Sequence, residues 1–133
     1  VPPAQENPDG PDTTPLADAF DYVGTLEDVA DGNASGTVVA SYRSGLYAMV
    51  ATLQDLPPLE DGYFYEGWIV RKNPQSVLST GRVIMTSETK GANNHKATED
   101  LTDHDFYVLT LEPDDGDPAP AGHILEGTLE PTK

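Results

Sequence analysis

Short segments in which apolar and polar residues alternate, each ended by a turn signal, constrain the fold of this chain most. Twelve prolines and twelve glycines separate these segments instead of forming one low-complexity block. The clearest case lies at residues 37–43 and 46–53, which flank Ser44 and Gly45. Because glycine supplies the backbone freedom that a tight turn needs, this pair is predicted to form a β-hairpin. The whole pattern is typical of an all-β chain.

Further strands follow from the same period of two. They are predicted near residues 20–22, 63–70, 77–85 with a bulge at Gly81, 106–111 and 124–129. Phe64, Trp68 and Val70 share one face of their segment, and that face is predicted to be core. Residues 86–103 are polar and are predicted to form a long surface loop, parts of which can pair as short strands. Because each alternating strand has one face to bury, we expect an antiparallel β-sandwich of about seven to eight strands, immunoglobulin-like or similar.

The start of the chain differs in composition from the rest. Residues 1–16 hold five prolines and almost nothing to bury. We predict that residues 1–18 form a flexible or extended leader and that residues 19–133 form the β-sandwich domain. A proline-rich end is already extended, so the leader is also a candidate donor strand for the sheet of a neighbouring molecule.

The charge of the chain is strongly negative. It carries 23 acidic and 7 basic residues, for a formal net charge of −16. Such a surface repels phosphate groups, so neither nucleic acid nor an anionic membrane is expected as a partner. No apolar run approaches the ~18 residues of a membrane-spanning helix, and direct membrane insertion of this segment is not expected. The lack of cysteine excludes disulfides and thiolate metal sites.

Aspartates in two glycine-containing turns are the candidate metal ligands. They form two sets, with Asp114, Asp115 and Asp117 in the first and Asp28, Asp31 and Asn33 in the second. Clustered carboxylates can offer several oxygens to one hard cation, so calcium is the candidate ion. Aspartate is also common in turns that bind no metal, and that structural role stays open. Asn33-Ala34-Ser35 matches the acceptor pattern for N-glycosylation, which makes Asn33 a candidate site for a glycan.

No pattern in the chain points to catalysis. His95, His104 and His123 have no ligand-pair spacing and are expected to be exposed polar residues. Ser87 and Lys90 match the letters of a Ser-x-x-Lys motif, but the partner motifs that give it meaning are missing. A nucleophile elbow and a glycine-rich phosphate loop are missing as well. We predict that the chain is not an enzyme and has no catalytic residue.

Three segments taken together resemble a known family. Residues 56–59 read Leu-Pro-Pro-Leu, and residues 65–70 read Tyr-Glu-Gly-Trp-Ile-Val. After Gly81, residues 109–120 read Leu-Thr-Leu-Glu-Pro-Asp-Asp-Gly-Asp-Pro-Ala-Pro. This order is similar to that of the extracytoplasmic C-terminal domain of anti-sigma-K factor (RskA-like) proteins. The resemblance implies the fold and a place outside the cytoplasm, extracellular or at the cell surface; the family's membrane span and sigma-binding helical domain lie outside these residues.

Three functions stay open on the sequence. The first is an extracytoplasmic, non-catalytic module for surface interaction or self-assembly, such as a filament subunit, with protein, copies of itself or glycan as partner. The second is the sensory domain of an anti-sigma-factor-like regulator. The third is a calcium-stabilised binding module. No residue pattern identifies the interacting surface.

Overall fold

Ten antiparallel strands make up the described part of the chain. The computed structural model describes residues 19–116 and 121–132. The strands are β1 Tyr22–Asp28, β2 Ser35–Arg43, β3 Leu46–Gln54, β4 Tyr63–Lys72, β5 Gln75–Arg82, β6 Ile84–Met85, β7 Gly91–Ala97, β8 Phe106–Pro113, β9 Gly122–Thr128 and β10 Glu130–Pro131. The predicted hairpin is confirmed, because β2 and β3 pair down to Arg43↔Leu46 across a turn in which Ser44 and Gly45 have positive φ.

All the described strands belong to one sheet. Its order is β5-β4-β8-β9-β1-β2-β3-β7-β6, and β10 pairs with β1. β5 runs through Val83 into β6, and β6 pairs with β7 at the other end of this order. The sheet is therefore nearly closed into a barrel. The all-β antiparallel class is confirmed, whereas the expected sandwich of about seven to eight strands is corrected to one continuous sheet.

Strand β7 is the reason for this correction. It lies within residues 86–103, which were predicted as a loop with parts that can pair as short strands, and it pairs with β3 over seven residues, from Tyr47↔Ala97 to Leu53↔Gly91. Its inward positions hold Gly91 and Asn93, which are buried without being large and apolar. Because the inward residues of β7 are not large and apolar, apolar and polar residues do not alternate along it, and the sequence pattern does not indicate a strand.

The inward side of the sheet forms the core. Tyr65 and Ile69 on β4 belong to it and are 1% and 0% exposed. Trp68, on the opposite face of β4, is also buried at 7% exposed, whereas Phe64 and Val70 on that face are half-buried. The face predicted to be core is therefore only partly buried, and the main core cluster lies on the other face. Loops close the two ends of the sheet with Leu56 and Leu101, both buried. The other core members are Leu26, Ala34, Val38, Ala40, Tyr47, Met49, Ala51, Leu53, Tyr107, Leu109, Ile124, Leu125 and Leu129.

Between residues 19 and 116 and between 121 and 132, no helix is long and apolar enough to cross a bilayer.

Candidate interaction surface

A buried carboxylate holds the turn that follows β8. Glu112 is 3% exposed, and its Oε2 accepts hydrogen bonds from Thr110 Oγ1 at 2.5 Å and from the Ala121 N–H at 2.7 Å. Thr110 Oγ1 in turn accepts the indole N–H of Trp68 at 2.9 Å. Because a buried carboxylate is costly unless its oxygens are hydrogen-bonded, these contacts fix both ends of the turn. The Thr-Leu-Glu-Pro part of the family-like segment thus has an architectural role.

Two aspartates of this turn, Asp114 and Asp115, are exposed. Asp114 Oδ1 accepts a hydrogen bond from Arg82 Nη2 at 3.1 Å, and both side chains are more than half exposed. The Arg82 guanidinium also lies 3.7 Å from the centroid of the Phe64 ring. The Asp115 N–H donates to the Pro113 carbonyl, and Asp117 lies outside the described residues. An exposed ion pair adds little stability, so the Asp114 contact orients the side chains more than it holds the fold.

The second aspartate cluster is organised by its own backbone. Asp28 Oδ1 accepts the N–H groups of Ala30 at 2.6 Å and Gly32 at 2.9 Å, and Oδ2 accepts that of Ala34 at 3.0 Å. These hydrogen bonds, first of all the one from Gly32, hold the pKa of Asp28 below its ordinary value. Asp31 has φ of 64°, a conformation that aspartate tolerates, and Asn33 is exposed.

The two sets of candidate calcium ligands can be compared with the geometry of the described residues. Among residues 19–116 and 121–132, no group of three His, Cys, Asp or Glu side chains is placed to hold a metal ion. The assignments to Asp114, Asp115 and Asp117, and to Asp28, Asp31 and Asn33, stay predictions. Glycosylation at Asn33 also stays a prediction.

Three polar side chains, those of Thr80, Asn93 and Tyr107, meet in the core beside Gly67. Asn93 Oδ1 accepts hydrogen bonds from Thr80 Oγ1 at 2.5 Å and from the Tyr107 hydroxyl at 2.8 Å. Asn93 Nδ2 donates to the carbonyls of Thr80 and Gly81 at 3.1 and 3.3 Å. Burial raises the pKa of Tyr107, which keeps its hydroxyl protonated and able to donate. Asn93 therefore joins β7 to β5 by its side chain, where the two strands do not pair.

The histidines lie in three different settings. His104 is 5% exposed, with Nδ1 2.9 Å from Asp103 Oδ1 and Nε2 2.9 Å from Ser76 Oγ, so the expectation that it is exposed was wrong. Asp103 also accepts a hydrogen bond from Arg71 Nη1 at 2.9 Å, and this contact, with a smaller one from His104, lowers the pKa of Asp103. His123 Nδ1 lies 2.6 Å from Glu126 Oε2. The remaining ring, His95, packs edge-on against Tyr47.

The Leu-Pro-Pro-Leu segment closes one end of the sheet. Leu56 is 1% exposed, and the Tyr65 hydroxyl donates to the Pro57 carbonyl at 2.6 Å. The segment then lines an open cleft of about 290 Å³ together with Tyr63 and Leu111. On the outer face of the sheet, a groove of about 240 Å³ runs beside Trp68, Val70, Val77, Phe106 and Val108. Both hollows are lined mainly by apolar groups, as binding sites for protein or ligand commonly are.

Most of the basic residues fall in one stretch of the chain, which includes β5 and β7. Beyond Thr80 and Asn93, the edges of β5 and β7 have no strand between them in the described part of the chain. Residues 67–98 include β5 and β7, and they carry five of the seven basic residues and a single acid, Glu88, while the rest of the chain carries 22 acids and two bases. The five are Arg71, Lys72, Arg82, Lys90 and Lys96. Arg71 and Lys72 lie on β4, Arg82 ends β5 and Lys96 lies on β7. Arg71 and Arg82 are paired with Asp103 and Asp114. Counting charge by segment would have found the bases, but not the open edge.

The fold and its internal hydrogen bonds define an all-β domain, in which the buried polar side chains described above serve the architecture. The family model described as anti-sigma-K factor RskA, C-terminal, matches residues 3–125, and the chain belongs to this family. Anti-sigma-K factor RskA of Mycobacterium ulcerans (strain Agy99) is 30% identical to it over 91 residues. The match covers 68% of this chain and 37% of that relative. No solved structure matches the chain.

The comparisons settle two predictions made from the sequence. The resemblance to the anti-sigma-K family is confirmed over nearly the whole chain. Because this is a family of non-catalytic regulators, the prediction that the chain is not an enzyme is confirmed as well. The chain spans only 37% of the length of the curated relative, so it corresponds to one part of such a regulator. An anti-sigma family implies protein partners.

Proposed function

We propose that this domain is the extracytoplasmic sensory part of an anti-sigma-factor-like regulator and that it acts by binding protein. The family match over residues 3–125 carries the proposal. It favours the regulator alternative over a general surface or assembly module. The activity of a whole regulator belongs to a longer protein, of which a chain like this one supplies a single domain.

The internal contacts support a binding role. Glu112, His104 and Asn93 are all buried, and each has hydrogen-bond partners within the domain. Because these side chains form hydrogen bonds within the domain, we assign binding of a protein partner to groups on the surface. The surface offers the apolar cleft and the outer groove, which are the kinds of feature that bind protein segments.

The location is testable in the full-length regulator. An epitope tag placed after Lys133 is exposed to protease added to intact cells if the domain lies outside the cytoplasm. We expect loss of the tag signal while a cytoplasmic marker protein stays intact. A tag that survives until the cells are lysed would contradict the proposed location.

The regulatory role is tested by transcription from a promoter that depends on the cognate sigma factor. Gly67→Ala in the full-length regulator should damage this domain, while Gly122→Ala should not, because an added Cβ at Gly122 meets no atom of the described residues within 4 Å. We expect the first variant to alter reporter output or its response to stimulus and the second to behave as wild type. Equal output from both variants, with Gly67→Ala shown to be unfolded, would refute a sensory role.

A further inference from the structure

We propose that the outer groove binds an extended, apolar segment of a partner protein and that a carboxylate of this segment lies at Lys72. The outer groove is the hollow of about 240 Å³ beside Trp68, Val70, Val77, Phe106 and Val108. The inference rests on the proposed function, in which the domain binds protein, and it assigns the chemistry of the bound segment.

Strand β4 has apolar side chains on both of its faces. Tyr65 and Ile69 belong to the core, while Trp68 and Val70 lie on the opposite face. A strand with one face in water alternates apolar and polar residues, whereas a strand covered on both faces is apolar throughout. Val70 is half-buried, and Val77, its partner on β5, is 42% exposed. The described strands therefore leave apolar surface on the outer face of β4 that a further segment can cover.

The outer groove follows the direction of β4. Lys72 and Gln75, which pair with each other, lie at one end of it, and Trp68 lies four residues further along the strand. Four residues of a strand span about 13 Å. An extended segment of about five residues covers this length and can place alternate side chains on the apolar floor, as other extended peptides do on their receptors.

Lys72 gives one end of the groove a positive charge. Its ammonium lies 4.3 Å from the centroid of the Phe106 ring. No carboxylate within residues 19–116 and 121–132 forms an ion pair with Lys72, in a chain that has 23 acidic residues. Opposite charges attract more strongly where apolar groups limit the access of water, so a carboxylate of the partner is the group that fits this end.

The other end of the groove is acidic. His123 lines this end and shares its row across the sheet with Glu66 on β4. Glu66 accepts a hydrogen bond from the Ser79 hydroxyl, and Glu126 Oε2 lies 2.6 Å from His123 Nδ1. A fatty acid has a single charged end, whereas a protein segment can carry an acidic residue at one end and a basic residue at the other. Charge complementarity along the groove therefore favours a protein segment over a lipid.

Binding of a synthetic peptide to the full chain tests the inference. The probe is Lys-Ser-Phe-Ser-Leu-Ser-Asp, blocked at both termini, in which the charged and apolar side chains share one face of an extended strand. Trp68 is the only tryptophan and lines the groove, so its fluorescence reports binding, and calorimetry gives the Kd. We expect saturable binding with a Kd of about 100 µM or lower.

Two exposed apolar residues give matched variants for the groove. Val77 on β5 is 42% exposed and lines the groove, whereas Ile84 on β6 is 73% exposed and does not. We expect Val77→Asn to weaken binding of the probe at least about fivefold and Ile84→Asn to stay within about twofold of wild type. Thermal melting checks that both variants stay folded. Equal weakening by the two variants would overturn the proposal.

A double-mutant cycle tests the placement of the carboxylate. Lys72→Gln and Lys96→Gln are each measured with the probe and with a second peptide in which Asn replaces its Asp. We expect Lys72→Gln to weaken binding of the probe at least about threefold more than binding of the Asn peptide. Lys96→Gln, on β7, should affect both peptides alike. The same loss for both peptides in Lys72→Gln would contradict the proposed contact.

Other occupants of the groove are distinguished by two controls. Decanoate that binds as tightly as the probe, and more weakly to Val77→Asn, would identify a lipid site and overturn the proposal. A wild-type chain that dimerises in sedimentation, and that Val77→Asn makes monomeric, would assign the groove to a second copy and overturn it too. Absence of peptide binding, while Gly67→Ala still alters reporter output, would refute this inference and leave the proposed function standing.

Discussion

The substitution Gly67→Ala gives the sharpest test of the packing described above. A Cβ added at this position would lie 1.9 Å from Asn93 Oδ1, 2.4 Å from the Tyr107 hydroxyl and 2.5 Å from Thr80 Oγ1. No real side chain tolerates such contacts, so the hydrogen-bonded cluster must move apart. Overpacking of a core costs about 1–3 kcal/mol, and each buried polar group that loses its partner adds about 1–3 kcal/mol. We expect a loss of about 3–5 kcal/mol in the free energy of unfolding.

Trp68 makes this loss measurable, because it is the only tryptophan and lies beside Gly67 on β4. Denaturant titration followed by its fluorescence should show a lower midpoint, and the melting temperature should fall by roughly 10–20 °C. Gly122→Ala is the matched control on β9, since an added Cβ there lies more than 4 Å from every atom in the described part of the chain. It should stay within about 0.5 kcal/mol of wild type. A Gly67→Ala variant within about 1 kcal/mol of wild type would refute the packing argument.

Three further predictions concern the turns. Thr110→Val removes the hydroxyl between Trp68 and Glu112 and should cost about 2–3 kcal/mol in a denaturant titration, while Thr110→Ser, which keeps the hydroxyl, should cost less than about 1 kcal/mol; equal losses would contradict the hydrogen-bond role. The pKa of Asp28 is lowered in the folded state. Its contribution to the free energy of unfolding is therefore complete above the ordinary pKa of about 3.9, and it is lost as the pH falls through the folded-state pKa. The destabilisation by Asp28→Asn should therefore be largest at neutral pH and shrink in acid, and a pH-independent difference would argue against it. A calcium site at Asp114, Asp115 and Asp117 requires stabilisation by about 2.7 kcal/mol at one hundred times the dissociation constant. A melting temperature that differs by less than about 1 °C between calcium and chelator would rule that site out.

Local signals explain why much of the strand pattern could be predicted. The β2–β3 hairpin needs only alternation and a glycine turn, and both are contiguous in the chain. Tyr107 and Leu109 alternate with their neighbours on β8 and are fully buried, as their spacing indicates. Gly81 was predicted as a bulge, and the β4–β5 register shifts directly opposite it, between Gly67 and Trp68. In each case the deciding residues lie within one or two strands.

The candidate metal ligands were harder to assess from sequence. The spacing around Asp28 suits a cation loop and a backbone-capping turn equally well, because both need a carboxylate near a glycine. Only the folded loop shows that both oxygens of Asp28 accept backbone N–H groups. Glu112 was missed for a related reason, since its burial depends on how the turn after β8 folds back to Ala121.

The sequence by itself determined the class of fold, most of the strands, the family and the lack of catalytic machinery, because these rest on local periodicity and contiguous motifs. Tertiary structure decided which face of β4 is core, where β7 pairs and how the sheet nearly closes. Those features depend on pairing between residues far apart in the chain. Whether a side chain such as Asn93 faces a core or solvent is set by its neighbours in space, which one strand's own pattern does not specify.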